Sequence, residues 1–303
     1  MRACDAYTSK NKGRNPGPLR TNPGDTYEVV AVNKVPYDWL RIEMPGHPES
    51  LRWVSKECGV ADVKVGTGGS GGSDDDERPP DAPNGCRVAD RQDSYVLAMT
   101  WQPGFCEHFH YSGHKPECDA LAGGSLVVTH LTLHGLWPNR KACGTRYESC
   151  GGPPLDLSPE TISALSPWMP NLIYETAFAS YEWTKHGTCQ SLPDDEYFLT
   201  AKRLLETIHH SEIGRFITAR IGSEMKVKEF FDHITRHYGR EVADRVTLLC
   251  SDKRYLLEIR INLPKQPKVD ADLKKMLAGA PARRGRESEN CSASIYVERS
   301  GPN

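Results

Sequence analysis

The sequence predicts an α+β fold, with helices around a mainly antiparallel sheet, preceded by a small all-β barrel. Strand-like and helix-like segments are mixed without a regular βαβ alternation, which argues against a parallel, doubly wound sheet. A tract of Gly, Ser, acidic residues and Pro at 66–85 has too little apolar surface to fold on its own. We therefore expect a β-barrel domain at 1–65, a flexible linker at 66–85 and a main domain at 86–303.

The composition is that of an ordinary globular protein. Of the 303 residues, 38% are hydrophobic and 26% are charged, and no run approaches the roughly 18 apolar residues that a membrane helix needs. The formal net charge is -2, so binding to a polyanion would need a local basic surface. We expect a monomer without a membrane-spanning segment.

Three short strands are expected in the N-terminal part, at 26–32, 39–44 and 51–54, where apolar and polar residues alternate or follow a Pro-Gly turn. Cys4 and Cys58 lie at the two ends of this part. A domain of about sixty residues has a small core, so a disulfide between these two cysteines would stabilise it. We predict this pair.

The N-terminal part resembles bacterial SH3-like domains. The resemblance rests on the turn at 22–24, the strand at 27–30, the Asp-Trp-Leu segment at 38–40 and the closing Arg-Trp-Val segment at 52–54. It implies attachment to the cell wall or binding of a proline-rich or other peptide ligand. An inert, stabilising appendage is the alternative.

Apolar runs predict two strands at the start of the main domain, at 94–101 and 125–133. In the second strand, alternation places His130, Thr132 and His134 on one face, so His134 is expected at the end of that strand. The other predicted elements are amphipathic helices at 194–210 and 226–238 and strands at 245–250, 254–262 and 292–298.

Two segments about fifty residues apart carry most of the chemical information: LHGLWP at 133–138 and YEWTKHGTC at 181–189. Together they contain two imidazoles, a carboxylate and an ammonium group. These groups can move protons around a phosphodiester without a metal. The combination points to cleavage of RNA, which carries its own nucleophile in the 2'-hydroxyl.

The second segment places its chemistry on one face of a helix, if it is helical. Glu182, Lys185 and His186 are then three and four residues apart, which brings them to the same side. His134 could face them across a cleft, with Trp137 fixing the exit of its strand. Taken alone, the helix cluster could equally be a surface Glu–Lys pair with a histidine near the helix end.

Two histidines are sufficient for this reaction. A neutral imidazole removes the 2'-hydroxyl proton, the oxygen attacks the adjacent phosphorus, and a protonated imidazole gives its proton to the departing 5'-oxygen. Because the ordinary pKa of histidine is about 6.5, a bell-shaped pH dependence is expected. Lys185 could stabilise the negative charge that develops on the phosphoryl oxygens.

From about residue 86, the sequence resembles the ribonuclease T2 family of bacterial type. The resemblance rests on LTLHGLWPN at 131–139, SYEWTKHGTC at 180–189 and AMTWQPGFC at 98–106, which occur in the family order. It implies a ribonuclease T2-like fold and endonucleolytic cleavage of single-stranded RNA. The product would be a 2',3'-cyclic phosphate, opened more slowly to a 3'-phosphate, without a metal or other cofactor.

The resemblance also assigns a role to each motif residue. His186 would be the general base and His134 the general acid, and Glu182 with Lys185 would stabilise the pentavalent transition state. Tyr181 stands where many eukaryotic members have a phosphate-binding histidine; its hydroxyl can donate a hydrogen bond but brings no charge. Bacterial members also have tyrosine there, which favours a bacterial, periplasmic or secreted protein.

Ten cysteines without the paired CxxC spacing of a zinc site predict disulfides formed in an oxidising compartment. The family pattern would join Cys250 with Cys291, Cys106 with Cys118, and Cys189 with Cys143 or Cys150. Cys86 would take the remaining partner, and the sequence leaves that choice open. Residues 1–20 contain no apolar secretory segment, so we expect an exported protein to have lost its signal.

Four residues are expected to contact the substrate: Tyr181, Trp137, Trp101 and Gln102. Trp101 and Gln102 could hold a base by stacking and by amide hydrogen bonds. For the tryptophan, packing in the core is an equal alternative. Base preference cannot be inferred from these residues.

Three further clusters have simple alternatives to a functional role. The loop between Cys106 and Cys118 contains His108, His110 and His114. These histidines could bind a metal, or the segment could be only a disulfide-closed loop. His233 and His237 lie four residues apart on a predicted helix. The glutamate of an HExxH metal site is missing there, so a solvent-exposed helix face is the favoured interpretation. A basic segment near the C-terminus could contact phosphate or be a solvated loop. Its charged residues are Lys274, Lys275, Arg283, Arg284 and Arg286.

Two rival functions stand beside RNA cleavage. One is a catalytically silent RNA-binding or cell-wall-targeted protein on the same scaffold, and the other is a metal-dependent phosphodiesterase that uses the loop of His108. The intact set of His134, Glu182, Lys185 and His186 argues against the first rival.

Overall fold

The computed structural model describes residues 3–7, 19–27, 29–32, 39–44, 51–59, 86–111, 114–144, 146–175, 177–269, 271–283 and 288–301. The chain divides into two compact units, Met1–Arg78 and Pro79–Asn303. The division falls within the tract at 66–85, which lies outside the described residues.

The N-terminal unit contains a small antiparallel sheet. Its strands are β1 (Val29–Val32), β2 (Trp39–Glu43) and β3 (Leu51–Ser55), and β2 lies between the other two. Leu40 and Ile42 of β2 are buried, as the alternation of apolar and polar residues requires. They belong to a small core of their own within this unit.

Among the described residues, a single bridge between Tyr7 and Trp53 extends the edge of this sheet. Cys4 and Cys58 form the predicted disulfide. A bridge of one residue pair does not close a sheet, because a barrel needs a continuous ladder around its circumference. The described residues therefore show a small sheet and do not show the closed SH3-like barrel that the sequence predicts.

A larger, mainly antiparallel sheet organises the C-terminal unit. Its strands are β4 (Ser94–Thr100), β5 (Thr132–Asn139), β6 (Ser223–Lys226), β7 (Val246–Ser251), β8 (Tyr255–Pro264), β9 (Ser288–Glu289) and β10 (Ser294–Val297). The path through the sheet is β5-β4-β8-β10-β6, and β7 pairs with β8 and β9. Only the β8–β10 and β7–β9 pairings are parallel among the described strands.

Helices accompany this sheet and confirm the predicted α+β class. In chain order they are α1 (Gln102–His108), α2 (Pro116–Ala122), α3 (Pro159–Leu165), α4 (Ala177–Lys185), α5 (Asp194–His209), α6 (Glu212–Thr218), α7 (Val227–Tyr238), α8 (Arg240–Ala243) and α9 (Leu273–Met276). None of the helices in the described ranges is both long enough and apolar enough to span a bilayer.

The two helices with a clear apolar stripe in the sequence are α5 and α7. α5 begins with three acidic residues in its first turn, where the helix dipole favours negative charge. Its buried face includes Tyr197 and Leu204, and that of α7 includes Phe230 and Ile234. Both faces pack into the main core beside the sheet.

The strand predicted at 125–133 is wrong, because β5 begins only at Thr132. The backbone N–H groups of Ser125 and Leu126 donate to the carbonyl of Ala120 at the end of α2, at 2.9 and 3.0 Å. Since these donors close the helix end, they cannot form a strand ladder. His134 therefore lies near the start of its strand and not at its end.

Four disulfides stabilise the C-terminal unit, and with Cys4–Cys58 all ten cysteines are paired. The pairs are Cys86–Cys143, Cys106–Cys118, Cys150–Cys189 and Cys250–Cys291. The partner of Cys86, which the sequence left open, is thus Cys143. Each bond closes a loop and restricts the unfolded chain.

Candidate active site

A β-bulge presents His134. Along the β4–β5 ladder, Ala98 pairs with Gly135 and Met99 with Leu133, so His134 has no partner residue opposite it. A bulge bends the strand locally and turns the extra side chain away from the regular alternation. This explains how His134 reaches a polar site from a strand whose neighbours Leu133 and Leu136 are buried in the core.

The imidazole of His134 lies between two carboxylates. Its Nδ1 is hydrogen-bonded to Oε2 of Glu258 on β8, and its Nε2 lies 3.7 Å from Oε1 of Glu182 on α4. Burial alone would lower the pKa of His134, but the hydrogen bond and charge of Glu258, with the charge of Glu182, outweigh it. The pKa of His134 is therefore raised, which favours the protonated ring.

The carboxyl group of Glu182 is almost completely buried, with 1% of the residue exposed. Its Oε2 accepts a hydrogen bond from the indole N–H of Trp137 at 2.8 Å. Burial raises the pKa of Glu182 against the opposing effects of His134, Trp137 and Lys185. Gly135 permits this approach, because a Cβ there would collide with Oε2 of Glu182 and lie 2.6 Å from Nε1 of Trp137.

Trp137 packs against both histidines of the motifs. The centre of its indole ring system lies 5.1 Å from the ring centre of His134 and 5.2 Å from that of His186. The guanidinium of Arg260 lies 5.1 Å from the Trp137 ring centre, within the range of a cation–π contact. One indole thus fixes the spacing of two imidazoles that belong to separate elements.

His186 follows the last residue of α4 and continues its hydrogen-bond pattern, since its backbone N–H donates to the carbonyl of Glu182 at 2.8 Å. Its Nδ1 is buried and has no hydrogen-bond partner among the described residues. Burial, with the charges of Lys185 and His134, lowers the pKa of His186 to about 3. His186 is therefore neutral over the range in which His134 tends to carry a proton.

Lys185 supplies a partly exposed positive charge at the end of α4. Its Nζ donates a hydrogen bond to the hydroxyl oxygen of Tyr181 at 3.0 Å and lies 3.6 Å from Oε2 of Glu148. Burial alone would lower the pKa of Lys185, but Tyr181, Glu148 and Glu182 raise it, so the ammonium stays charged. Tyr181 itself is 53% exposed.

A loop and a disulfide hold the end of this helix in place. The backbone N–H of Ser149 donates to the carbonyl of Lys185 at 2.7 Å. The next residue, Cys150, is bonded to Cys189, three positions after His186. The structure thus brings His134, Glu182, Lys185 and His186 together, as the sequence predicts for their elements, in a site with one neutral and one protonation-prone imidazole.

Residues 92–276, more than half of the chain, match the sequence model of the Ribonuclease T2 family. The chain belongs to the ribonuclease T2 family. Ribonuclease I of Escherichia coli (strain K12) is 29% identical over 238 residues, which cover 69% of this chain and 87% of that protein. Ribonuclease MC of Momordica charantia is 37% identical over 102 residues, which cover 32% of this T2-family chain and 48% of that protein.

Solved ribonucleases are also similar to this T2-family chain. RNase NT in complex with 5'-AMP gives a TM-score of 0.46 at 18% identity and covers 69% of this chain and 98% of that chain. The SF11-RNase of Nicotiana alata gives 0.45 at 20% identity and covers 69% and 100%. With the family match and the named relatives, the chain is an endoribonuclease of the T2 type.

Sequence reasoning missed two residues at the site of this T2-family enzyme, Glu258 and Arg260. Glu258 is 5% exposed, and its Oε1 accepts a hydrogen bond from Nε of Arg260 at 2.6 Å. Burial raises the pKa of Glu258, but His134 and Arg260 lower it further than burial raises it, so the carboxylate is ionised. The available signal was their alternate spacing in a predicted strand, which places both side chains on one face.

Two of the expected substrate contacts in the T2-family enzyme are wrong. Trp101 is fully buried, and its indole N–H donates to the carbonyl of Glu298 at 2.7 Å, so no ring face is left for a base. Gln102 is also buried, where its Oε1 accepts from the hydroxyl of Thr132 at 3.2 Å and its Nε2 contacts Sγ of Cys106. Both side chains support the core and not a substrate surface.

The histidine loop of the T2-family enzyme does not assemble a metal site from its three described histidines. Nε2 of His108 lies 2.7 Å from Oε2 of Glu298, and Nε2 of His114 lies 2.6 Å from Oδ2 of Asp119. His110 is exposed and is not grouped with them. Because His108 and His114 are held by different carboxylates and no metal-binding group of three forms here among the described residues, the loop offers no common position for an ion.

The basic segment of the T2-family enzyme is divided between structural and exposed roles. Nη1 of Arg283 is hydrogen-bonded to the carbonyl of Ala243, and its Nη2 lies 3.4 Å from Oδ1 of Asp244. Lys275 is paired with Asp272 at 3.0 Å. Arg284 and Arg286 lie outside the described residues. The guanidinium of Arg283 thus anchors a loop to Ala243 and Asp244, which favours a structural role for this residue over a contact with phosphate.

Proposed function

We propose that this protein is a metal-independent endoribonuclease that cleaves single-stranded RNA by transesterification. The observation that carries the proposal is that the rings of His134 and His186 both pack against Trp137, at 5.1 and 5.2 Å, and that their pKa values are shifted in opposite directions. In this transesterification, one imidazole must accept the proton of the attacking 2'-hydroxyl and another must donate a proton to the departing 5'-oxygen. Single-stranded RNA is favoured because its bases and linkages can be splayed into a site.

His186 is the general base in this proposal. Its buried Nδ1 leaves Nε2 as the nitrogen that can meet the ribose. Nε2 takes the proton of the 2'-hydroxyl, and the oxygen forms a bond to the adjacent phosphorus. A pKa of about 3 keeps His186 unprotonated and ready to accept from mildly acidic pH upward.

His134 is the general acid. Nδ1 is held by Glu258, so Nε2 delivers the proton to the departing 5'-oxygen as the P–O5' bond breaks. The products are a 2',3'-cyclic phosphate and a free 5'-hydroxyl. In the slower second reaction the roles reverse: the neutral His134 removes a proton from water, and the protonated His186 returns one to the 2'-oxygen, which leaves a 3'-phosphate.

Lys185 and Glu182 stabilise the pentavalent phosphorane. The ammonium of Lys185 carries the charge that the phosphoryl oxygens gain in the transition state. Glu182 contributes by position: its Oε1 lies 3.7 Å from Nε2 of His134, and its charge holds that imidazole and the ammonium of Lys185 at the site. The hydroxyl of Tyr181, which accepts from Lys185, still has its own proton to donate to phosphate.

The test is the identity of the product. A dinucleoside monophosphate incubated with the enzyme in excess EDTA is expected to give a 2',3'-cyclic phosphate first and a 3'-phosphate later, followed by phosphorus NMR. The matched control is the same substrate with a 2'-O-methyl group, which should remain intact because the nucleophile is blocked. Cleavage that stops in EDTA, or a 5'-phosphate product, would contradict the proposed reaction; binding without turnover would favour a silent RNA-binding protein.

We also propose that the N-terminal unit is an SH3-like binding module on a secreted or periplasmic enzyme. Five disulfides suit an oxidising compartment. Within the unit, the rings of Tyr7 and Trp39 lie 6.0 Å apart and border a cavity of about 330 Å³ with Asp5 and Arg20. Aromatic-lined grooves of this kind receive extended peptides.

Removal of residues 1–83 is expected to leave the turnover of a short soluble RNA unchanged, because all of the proposed catalytic residues lie in the other unit. In co-sedimentation with a bacterial cell-wall preparation, the full chain should pellet and the shortened chain should remain in solution. A large loss of turnover in the shortened chain, or equal pelleting of both, would contradict separate binding and catalytic units.

A further inference from the structure

Helix α7 carries two histidines that the catalytic site does not use. His233 and His237 are four residues apart, which places them one above the other on one face of the helix. Their ring centres are 4.3 Å apart. His237 is exposed and His233 is partly buried against Phe216 of α6. In the sequence alone, this face is indistinguishable from a solvated one.

The fold adds a carboxylate to this pair from the neighbouring helix. Glu212 is the first residue of α6, and its backbone N–H donates to the hydroxyl oxygen of Tyr238 at the end of α7, at 2.9 Å. Its Oε2 lies 3.1 Å from Nε2 of His233. One ligand atom from each of Glu212, His233 and His237 lies within 4.8 Å of the others, the one such group of three found in the described ranges.

We propose that Glu212, His233 and His237 bind a divalent transition-metal ion, with Zn²⁺ as the representative. Two imidazoles and one carboxylate are donors that suit Zn²⁺, Ni²⁺ and Cu²⁺, whereas Mg²⁺ and Ca²⁺ prefer all-oxygen sites. Three protein ligands leave a fourth tetrahedral position for water. Entry is open from the exposed side of His237.

The charges around the site are compatible with a cation. Arg215 binds the other oxygen of Glu212, Oε1, at 2.8 Å, and its side chain is 68% exposed. Oε2 therefore stays directed toward the histidines, and the guanidinium can move outward into solvent.

A metal here would connect the start of α6 to the last turns of α7. The two helices already pack through Phe216 and Phe230, whose ring centres are 5.7 Å apart. None of the proposed catalytic residues lies on α6 or α7, so we assign the ion a structural role and no part in RNA cleavage. Metal binding and metal-independent catalysis are therefore separate properties of the same chain.

Isothermal titration of the EDTA-treated and dialysed full-length protein with ZnCl₂ tests the proposal. We expect one more Zn²⁺ equivalent bound by the wild type than by His237→Ala, or an affinity at this site at least about tenfold weaker in the variant, by analogy with losses around other metal sites. Glu212→Gln should give the same loss. His110→Ala, which removes an exposed histidine elsewhere, is the matched control and should titrate like the wild type.

Zinc bound at the catalytic histidines would appear equally in all of these proteins, so the difference between titrations isolates the α6–α7 site. Thermal unfolding adds a second measurement: Zn²⁺ should raise the Tm of the wild type more than that of His237→Ala, while the two proteins match in EDTA. Identical titrations and identical Tm changes for wild type and His237→Ala would overturn the proposal. Neither readout uses RNA cleavage, so its outcome is independent of the proposed catalytic function.

Discussion

His186→Ala and His134→Ala should each reduce kcat/KM on a dinucleoside monophosphate by about 100- to 10,000-fold, the usual contribution of a positioned acid or base. Without His186, no neutral imidazole remains beside Trp137 to take the 2'-hydroxyl proton. Without His134, the 5'-oxygen must leave without a proton. Because both groups act in one transition state, the double variant should lose far less than the product of the two single losses.

His210→Ala is the matched control, since this histidine is exposed at the end of α5 and outside the site. Its kcat/KM should equal that of the wild type. Circular dichroism and the Tm show whether each variant remains folded. A folded His186→Ala or His134→Ala enzyme that keeps more than about a tenth of wild-type kcat/KM would remove that residue from its proposed role, because a tenfold effect lies below the range for acid–base catalysis.

Glu258→Gln should move the alkaline limb of the pH–kcat/KM profile to lower pH, by about one pH unit or more. The acid form of His134 is active, so activity is lost as the pH rises through its pKa. Glu258 is the main group that raises this pKa against burial, and a neutral amide removes its charge while keeping its shape. On the alkaline side of the profile, kcat/KM should fall about tenfold for each pH unit by which the limb moves, because the protonated fraction of His134 falls by that factor.

The acidic limb should not move in the same variant, since it belongs to His186, whose pKa of about 3 depends on burial, Lys185 and His134. Glu298→Gln is the matched control, because it removes an equally buried carboxylate that pairs with His108 outside the site. It should affect the Tm and leave the pH profile in place. An alkaline limb that stays fixed in Glu258→Gln would show that Glu258 does not raise the pKa of His134.

The helix half of the site could be predicted from the sequence because its information is local. Glu182, Lys185 and His186 lie within about one helix turn, and helical spacing alone determines that they share a side. The strand half could not be derived in the same way. Glu258 is 124 positions from His134, and their contact depends on how β8 and β5 both align with β4.

The bulge at His134 and the burial of Trp101 also escaped sequence reasoning. A strand pattern assumes that side chains alternate without interruption, and one extra residue in a ladder breaks that assumption. Trp101 follows a buried strand and fits the core or a surface equally well by its sequence; only its hydrogen bond to the carbonyl of Glu298 decides the matter. Disulfide pairing at Cys86 also required the fold, since the family pattern left two partners open, Cys143 and Cys150.

Glycine at position 135 is constrained by residues that lie elsewhere in the sequence. The space that a methyl group would fill there is already taken by the carboxyl group of Glu182, which belongs to a different element of the fold. A larger amino acid at 135 can be accommodated only if both the carboxyl group at 182 and the indole at 137 become smaller or move away. We therefore expect glycine to persist at position 135 in descendants of this sequence for as long as Glu182 and Trp137 are retained.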